Sequence, residues 1–158
     1  MATGEVLVLA LLIGAVCGLR SMTGPALVCW GVYLGWLHVA GSHVEFTGSR
    51  IALVVFSVCA VGELIADKLP KISRRTSAGP LVVRLIAGAV CGGAFAVTAS
   101  GSFAMSCMIG ALGGLIGAFA GYWTRRAATQ PGRLPDLLVA LAEDLIAVGG
   151  GLILVSRF

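Results

Sequence analysis

Apolar residues fill six long runs of this chain, and short polar breaks separate them. The runs cover residues 5–19, 25–41, 51–68, 79–98, 103–123 and 135–156. A transmembrane helix needs about 20 consecutive apolar residues, within a range of about 17 to 25. The pattern therefore predicts an all-α polytopic membrane protein with about six transmembrane helices, in which the first helix pair is short or re-entrant.

The composition points the same way. Hydrophobic residues make up 58% of the 158 residues and charged residues only 11%, with a mean hydropathy of +1.01. Soluble domains carry about 25% charged residues, and a chain this short has too little interior to bury so much apolar surface. We therefore expect a single transmembrane domain over residues 1–158, with the first run retained as a helix.

Basic residues cluster in two of the polar breaks. One cluster surrounds residues 69–78, and the other lies in residues 124–134. Their members are Lys68, Lys71, Arg74 and Arg75, and then Arg125, Arg126 and Arg133. The positive-inside rule makes both breaks cytoplasmic, which predicts both termini outside, in a bacterial inner (plasma) membrane. The net charge of +4 is explained by this topology, and no nucleic-acid partner is expected.

Two short sequences recur along the chain. Gly-Ala-Val-Cys-Gly occurs at residues 14–18 and again at 88–92. Glu-Leu-Ile-Ala at residues 63–66 resembles Glu-Asp-Leu-Ile-Ala at residues 143–147. On the predicted topology the first apolar run crosses inward and the fourth outward. This favours an inverted three-plus-three repeat, an architecture found in many transporters. The half-repeats would be residues 5–68 and 79–156.

Several ionisable residues interrupt the apolar runs, at a cost of about 2.5–3.5 kcal/mol each on insertion scales. They are Arg20, Glu63, Asp67, Lys68, Arg84, Glu143 and Asp144. The predicted topology places all of them in the cytoplasmic half, where acids and bases can meet. Two interpretations stay open: buried ion pairs that hold the helices together, or a polar cavity in which an acid couples to a proton or cation.

The stretch GLRSMTGP, residues 18–25, lies between the first two runs. Ser21 or Thr23 can cap a helix that begins near Pro25, since proline suits the first turn. The free N–H groups of that helix, the hydroxyls and the Arg20 guanidinium would form an anion site. A plain cytoplasmic turn is the alternative. With Arg84, the candidate substrate-binding residues are Arg20, Ser21, Thr23 and Arg84.

Other chemistry is sparse. Glycines recur at helical spacing in the fifth run, a pattern that packs membrane helices within a subunit or in a homodimer. Neither the five cysteines nor the two histidines show metal-ligand spacing, so we expect no metal and no cofactor. Nucleotide-binding loops, HExxH and a Ser-His-Asp set are absent from the sequence. We therefore expect that the protein is not an enzyme.

Four segments together resemble a bacterial integral-membrane family known only as domain of unknown function 4126. They are GLRSMTGP (18–25), GELIADKLP (62–70), RTSAGPLVVR (75–84) and ALAEDLIAVGG (140–150). The residues that carry the resemblance are Gly18, Leu19, Arg20, Pro25, Glu63, Ala66, Asp67, Lys68, Pro70, Arg75, Ala78, Gly79, Glu143 and Asp144. The resemblance implies no activity, but it supports the same candidate site residues.

Three functional hypotheses follow. The first is a small transporter- or channel-like protein that binds an anionic or amphipathic solute in a cavity facing the cytoplasm. Arg20 and the second helix would bind the solute, and Glu143, Glu63 or Asp67 would couple to a proton or cation. The second is a flippase- or scramblase-type protein for anionic lipids. The third is a non-transporting assembly or structural protein of the membrane.

Overall fold

The computed structural model describes residues 2–66, 78–129 and 135–158, and this part of the chain is all helical, with no strand. It contains six α-helices and one short 3-10 helix. The α-helices are α1 (Thr3–Leu19), α2 (Thr23–Tyr33), α3 (Arg50–Ala66), α4 (Ala78–Thr98), α5 (Phe103–Ala128) and α6 (Asp136–Val155), and the 3-10 helix is Glu45–Gly48. The predicted all-α class is confirmed.

Within the described residues, three helices are long and apolar enough to cross a membrane. They are the segments Gly79–Thr98, Phe103–Ala128 and Leu137–Val155. Helix α1 is also apolar but has only 17 residues. Large apolar side chains cover the outside of the described helices, for example Ile51, Met108 and Leu145. This surface and these helices indicate a membrane protein.

Helices α1, α4 and α5 form the tightly packed centre, and glycines allow their backbones to approach closely. A Cβ atom added at Gly14 of α1 or at Gly88 of α4 would collide with the backbone carbonyl of Gly110 in α5. The two copies of Gly-Ala-Val-Cys-Gly also meet each other here. The thiols of Cys17 and Cys91, at equivalent positions in the two copies, are 3.7 Å apart.

The second apolar run is not one long helix, so the predicted span 25–41 is wrong in its extent. Helix α2 ends at Tyr33, and its 11 residues reach only roughly 16 Å. Gly35, with φ of +80°, stops the helix: its N–H binds the carbonyl of Val32, and the Trp36 N–H binds that of Gly31. The apolar residues beyond the stop include Leu37 and Val39, which fold back into the core.

Helix α5 is longer than the predicted run 103–123 and continues to Ala128. Arg125 and Arg126 therefore lie in its last turn and not in a loop. The reason is local: arginine and alanine favour helix, and cations near a helix C-terminus interact favourably with its dipole. This extension carries Arg125 to the charged site described below.

Helix α3 lies at the periphery of the structure. It packs on α2 and on the 3-10 helix, and Ala60 is the one buried residue among its seventeen. Trp30 of α2 donates a hydrogen bond from Nε1 to Ser57 Oγ across this contact, at 3.1 Å. Because α3 buries so little of its surface against the other helices, it is the helix whose displacement would disturb the core least.

We predict that Gly14→Ala lowers the free energy of unfolding by about 1–3 kcal/mol, the usual cost of overpacking, because its Cβ would meet the Gly110 carbonyl. The control is Gly149→Ala in α6, where an added Cβ has no neighbour within 4 Å among the described residues. That control should be neutral or more stable by up to about 1 kcal/mol. Thermal unfolding in detergent measures both. Equal stability of Gly14→Ala and the parent chain would contradict the close crossing.

Candidate functional site

The site forms where the chain breaks between α1 and α2, inside the helix bundle. Helix α1 ends because Arg20 is extended, with φ of −138° and ψ of 110°. The side chain of Arg20 is fully buried (0% exposed), and Ser21 and Thr23 are buried as well. Gly24 keeps the two helices close, because a Cβ there would collide with the Cys17 thiol. Polar backbone at this depth must find its partners within the protein.

Glu63 of α3 supplies the partner for the backbone of this break. Its carboxylate accepts hydrogen bonds from the N–H of Ser21 (2.8 Å to Oε1) and from the N–H of Met22 (2.9 Å to Oε2). The N-terminus of a helix favours an anion through its unpaired N–H groups and its dipole. The N–H groups just before α2 therefore bind an anionic group, which is a carboxylate of the protein itself.

The prediction that Ser21 or Thr23 caps α2 is wrong. The N-cap residue is Met22, and the described residues show no side-chain cap on this helix. Ser21 Oγ instead accepts a hydrogen bond from Arg84 Nε, at 3.3 Å. A carboxylate prevails over the hydroxyls because charge-assisted hydrogen bonds are about twice as strong as neutral ones.

Two further polar side chains lie beside this helix N-terminus. Arg84 of α4 is only 4% exposed and reaches the break through Ser21. Thr23, the first residue of α2, is 3% exposed, and its hydroxyl has no hydrogen-bond partner within the described part of the chain. An unsatisfied buried hydroxyl costs about 1–3 kcal/mol. The Thr23 hydroxyl is therefore an unused hydrogen-bonding group on the residue next to Met22, whose N–H binds Glu63.

One ion pair joins the break to α6, and a second joins α6 to α5. Arg20 Nη2 forms a salt bridge with Asp144 Oδ1, and Arg125 Nη1 lies 3.8 Å from Glu143 Oε2. Glu143 and Asp144 are neighbours that point about 100° apart on α6, so each acid faces a different arginine. Arg125 is not among the site residues predicted from the sequence, because the predicted fifth run ends at Trp123, before the last turn of α5. The favourable helix propensity of residues 124–128 was the signal that could have found it.

The structure thus brings together most of the charged residues proposed from the sequence. Four helices and the break after α1 contribute to this charged cluster, which we define as Arg20, Glu63, Arg84, Arg125, Glu143 and Asp144. Asp67 and Lys68, the other two candidates, lie outside the described residues. The cluster carries three formal positive and three formal negative charges.

The fold and this cluster define an all-helical membrane protein with a charge-balanced polar site at a broken helix pair. The chain belongs to the family described as a domain of unknown function (DUF4126), which it matches over residues 7–156. The resemblance found in the sequence is therefore confirmed. No curated protein and no solved structure matches the chain.

We predict that Asp144→Asn or Arg20→Gln lowers the free energy of unfolding by about 3–5 kcal/mol, because either change leaves a buried charge without its counter-charge. The double variant Arg20→Met/Asp144→Leu should recover much of this loss. Arg157→Gln, at an exposed position near the C-terminus, is the control and should change stability by less than about 0.5 kcal/mol. If the double variant lost as much free energy of unfolding as the two single variants together, Arg20 and Asp144 would not be coupled.

Proposed function

We propose that this protein is a small transporter- or channel-like membrane protein that binds an anionic or amphipathic solute at the N-terminus of α2. One observation carries the proposal: the Glu63 carboxylate accepts hydrogen bonds from two backbone N–H groups there. A carboxylate or phosphate of a solute would accept the same two hydrogen bonds once Glu63 had withdrawn. Glu63 is, in this proposal, the internal competitor of the solute.

The surroundings of the Glu63 carboxylate support an exchange of this kind. Arg84 lies on the other side of Ser21 and supplies positive charge, and the Thr23 hydroxyl supplies an additional hydrogen bond. Glu63 belongs to α3, the helix that buries least of its surface in the bundle. A displacement of α3 would therefore withdraw Glu63 without disturbing the glycine-packed centre.

The charge balance supports coupling to a proton or cation. If Glu63 kept its charge while a solute anion bound beside it, two like charges would share one helix N-terminus and repel each other. A proton or cation that enters with the anion removes this repulsion. Glu63 is the first coupling group in this proposal, and Glu143 and Asp144 on α6 are further candidates.

We further propose six membrane segments, of which the first pair (α1 and the 11-residue α2) is short or re-entrant, with both termini outside and the cluster in the cytoplasmic half. The support is that the cluster residues lie toward the ends of α3, α4, α5 and α6 that adjoin the two basic segments, as the positive-inside rule requires. The contact of Cys17 with Cys91 is what a two-fold axis between inverted halves would produce. A homodimer stays a prediction, since the glycines of α5 pack against α1 and α4 of the same chain.

The second candidate function is the handling of an anionic lipid. The observation that favours it is an apolar groove of about 240 Å³ that adjoins the same helix N-terminus and is partly lined by Met22 and Pro25. A soluble solute has no need of such a groove, whereas a lipid has an acyl chain to place there. In the third hypothesis, a non-transporting assembly protein, the charged cluster serves only to stabilise the fold.

We predict that Glu63→Gln strengthens the binding of inorganic phosphate about tenfold, or about 1.4 kcal/mol, because it removes the competing charge. Arg84→Gln should weaken binding by a similar factor. Glu5→Gln, at an exposed acid of α1, is the matched control and should bind as the parent chain does. Thermal stabilisation of the purified protein in detergent, titrated with phosphate, measures all four proteins.

Equal phosphate affinity of Glu63→Gln and the parent chain would contradict the exchange of anions at α2. If no anion stabilises any of these proteins, and Arg84→Gln is merely less stable, the charges serve the fold and the assembly-protein hypothesis takes precedence. Stabilisation by anionic lipids without any response to soluble anions would favour the lipid function.

The topology has its own test. Alkaline phosphatase fused after Phe158 should be active in intact bacterial cells, because the C-terminus is predicted outside, where the enzyme can form its disulfides. The same enzyme fused after Thr129 should be inactive, because that position adjoins a predicted cytoplasmic segment. The reverse pattern of activity would overturn the proposed orientation while leaving the site geometry unaffected.

A further inference from the structure

We propose that the groove beside α2 binds an acyl chain of an anionic phospholipid, whose phosphate takes the place of Glu63 at the N-terminus of α2. This inference rests on the proposed anion site and names the class of its ligand. The occupant is a membrane lipid that enters sideways from the bilayer.

The groove has an apolar lining throughout. Its volume is about 240 Å³, and the side chains of α3 and α4 flank it while both helices rest on α2. Phe56 lies on the α3 side, Val83 and Ile86 lie on the α4 side, and Met22 and Pro25 lie at the α2 end. With no polar side chain among its lining residues, the groove suits a hydrocarbon chain, which needs no hydrogen bonds.

The groove and the anion site share one residue. Met22 lines the groove, and its backbone N–H is also one of the two donors to the Glu63 carboxylate. Arg84 follows Val83 directly in α4 and reaches the break through Ser21. A molecule in the groove would thus have an apolar part among hydrocarbon side chains and an anionic part at the helix N-terminus. This juxtaposition is the chemistry of an amphiphile.

The position of the groove indicates that its occupant comes from the bilayer. Val83 is 40% exposed and Ile86 is 58% exposed, on a helix long and apolar enough to cross the membrane. The groove therefore opens on the surface that lipid tails cover. An anionic headgroup is favoured over a zwitterionic one for two reasons. The start of α2 already binds a carboxylate, and the ammonium group of a zwitterionic headgroup would be repelled by the positive charge of Arg84.

The experiment compares lipids and a soluble headgroup on the full chain, purified in detergent and stripped of lipid. The probes are phosphatidylglycerol, phosphatidylcholine with the same acyl chains, and glycerol 3-phosphate. Binding is measured by native mass spectrometry for the lipids and by thermal stabilisation for glycerol 3-phosphate. The inference requires phosphatidylglycerol to bind at least tenfold more tightly than phosphatidylcholine.

Val83→Trp tests the groove directly, because an indole at this position fills the space of the acyl chain. It should weaken phosphatidylglycerol binding at least tenfold and leave glycerol 3-phosphate binding unchanged. The matched control is Val82→Trp, the same substitution at the neighbouring position, which is 52% exposed and does not line the groove. It should leave both affinities unchanged. Ile86→Trp, on the same groove wall, replaces Val83→Trp if that variant does not fold.

The outcomes separate this inference from the proposed function. Glycerol 3-phosphate binding combined with lipid binding that is insensitive to Val83→Trp would overturn the groove and leave the anion site intact. Equal binding of the two lipids would overturn the choice of an anionic headgroup. If neither glycerol 3-phosphate nor phosphatidylglycerol binds, even to Glu63→Gln, the anion site itself is wrong and the inference fails with it.

Discussion

The rest of the site depends on one constraint: a break in the backbone between α1 and α2 lies inside the helix bundle. Water cannot satisfy polar backbone groups in a hydrocarbon environment, so the protein must do so itself. Glu63 binds the N–H groups of Ser21 and Met22, and the hydroxyl of Ser21 accepts a hydrogen bond from Arg84. Arg84 is buried and Glu63 is half-buried, so both charges need counter-charges nearby. This need accounts for a cluster that draws on four helices and the break.

The break lies between helices that pack closely at glycines and the sparsely packed helix α3. Gly14 and Gly88 let α1 and α4 approach α5 to backbone contact. This packing fixes the positions of Arg84 in α4, of Arg125 in α5 and of Arg20, which directly follows α1. Glu63 arrives from α3, which buries only Ala60. The carboxylate at the start of α2 therefore belongs to the described helix with the least packing, and the proposed exchange of anions relies on this difference.

The charge balance of the cluster bears on the kind of chemistry that the protein can support. Three arginines and three acids leave no formal excess charge among the described residues of the cluster. A solute anion must therefore replace the charge of an internal acid rather than add to it. The overall +4 of the chain gives no information about this site, since the charges of the cluster itself balance.

The sequence by itself determined the helical class, the membrane character and most of the charged residues of the site, because a long apolar run and an isolated charge within it are local features. It placed the end of α2 and the end of α5 wrongly, although Gly35 and residues 124–128 held the local signals for both. Only the tertiary structure decided the partners. Glu63, rather than Ser21 or Thr23, binds the start of α2, and Arg125 faces Glu143, because of how separate helices pack against each other. Such contacts depend on how whole helices pack against one another, which no single segment specifies alone.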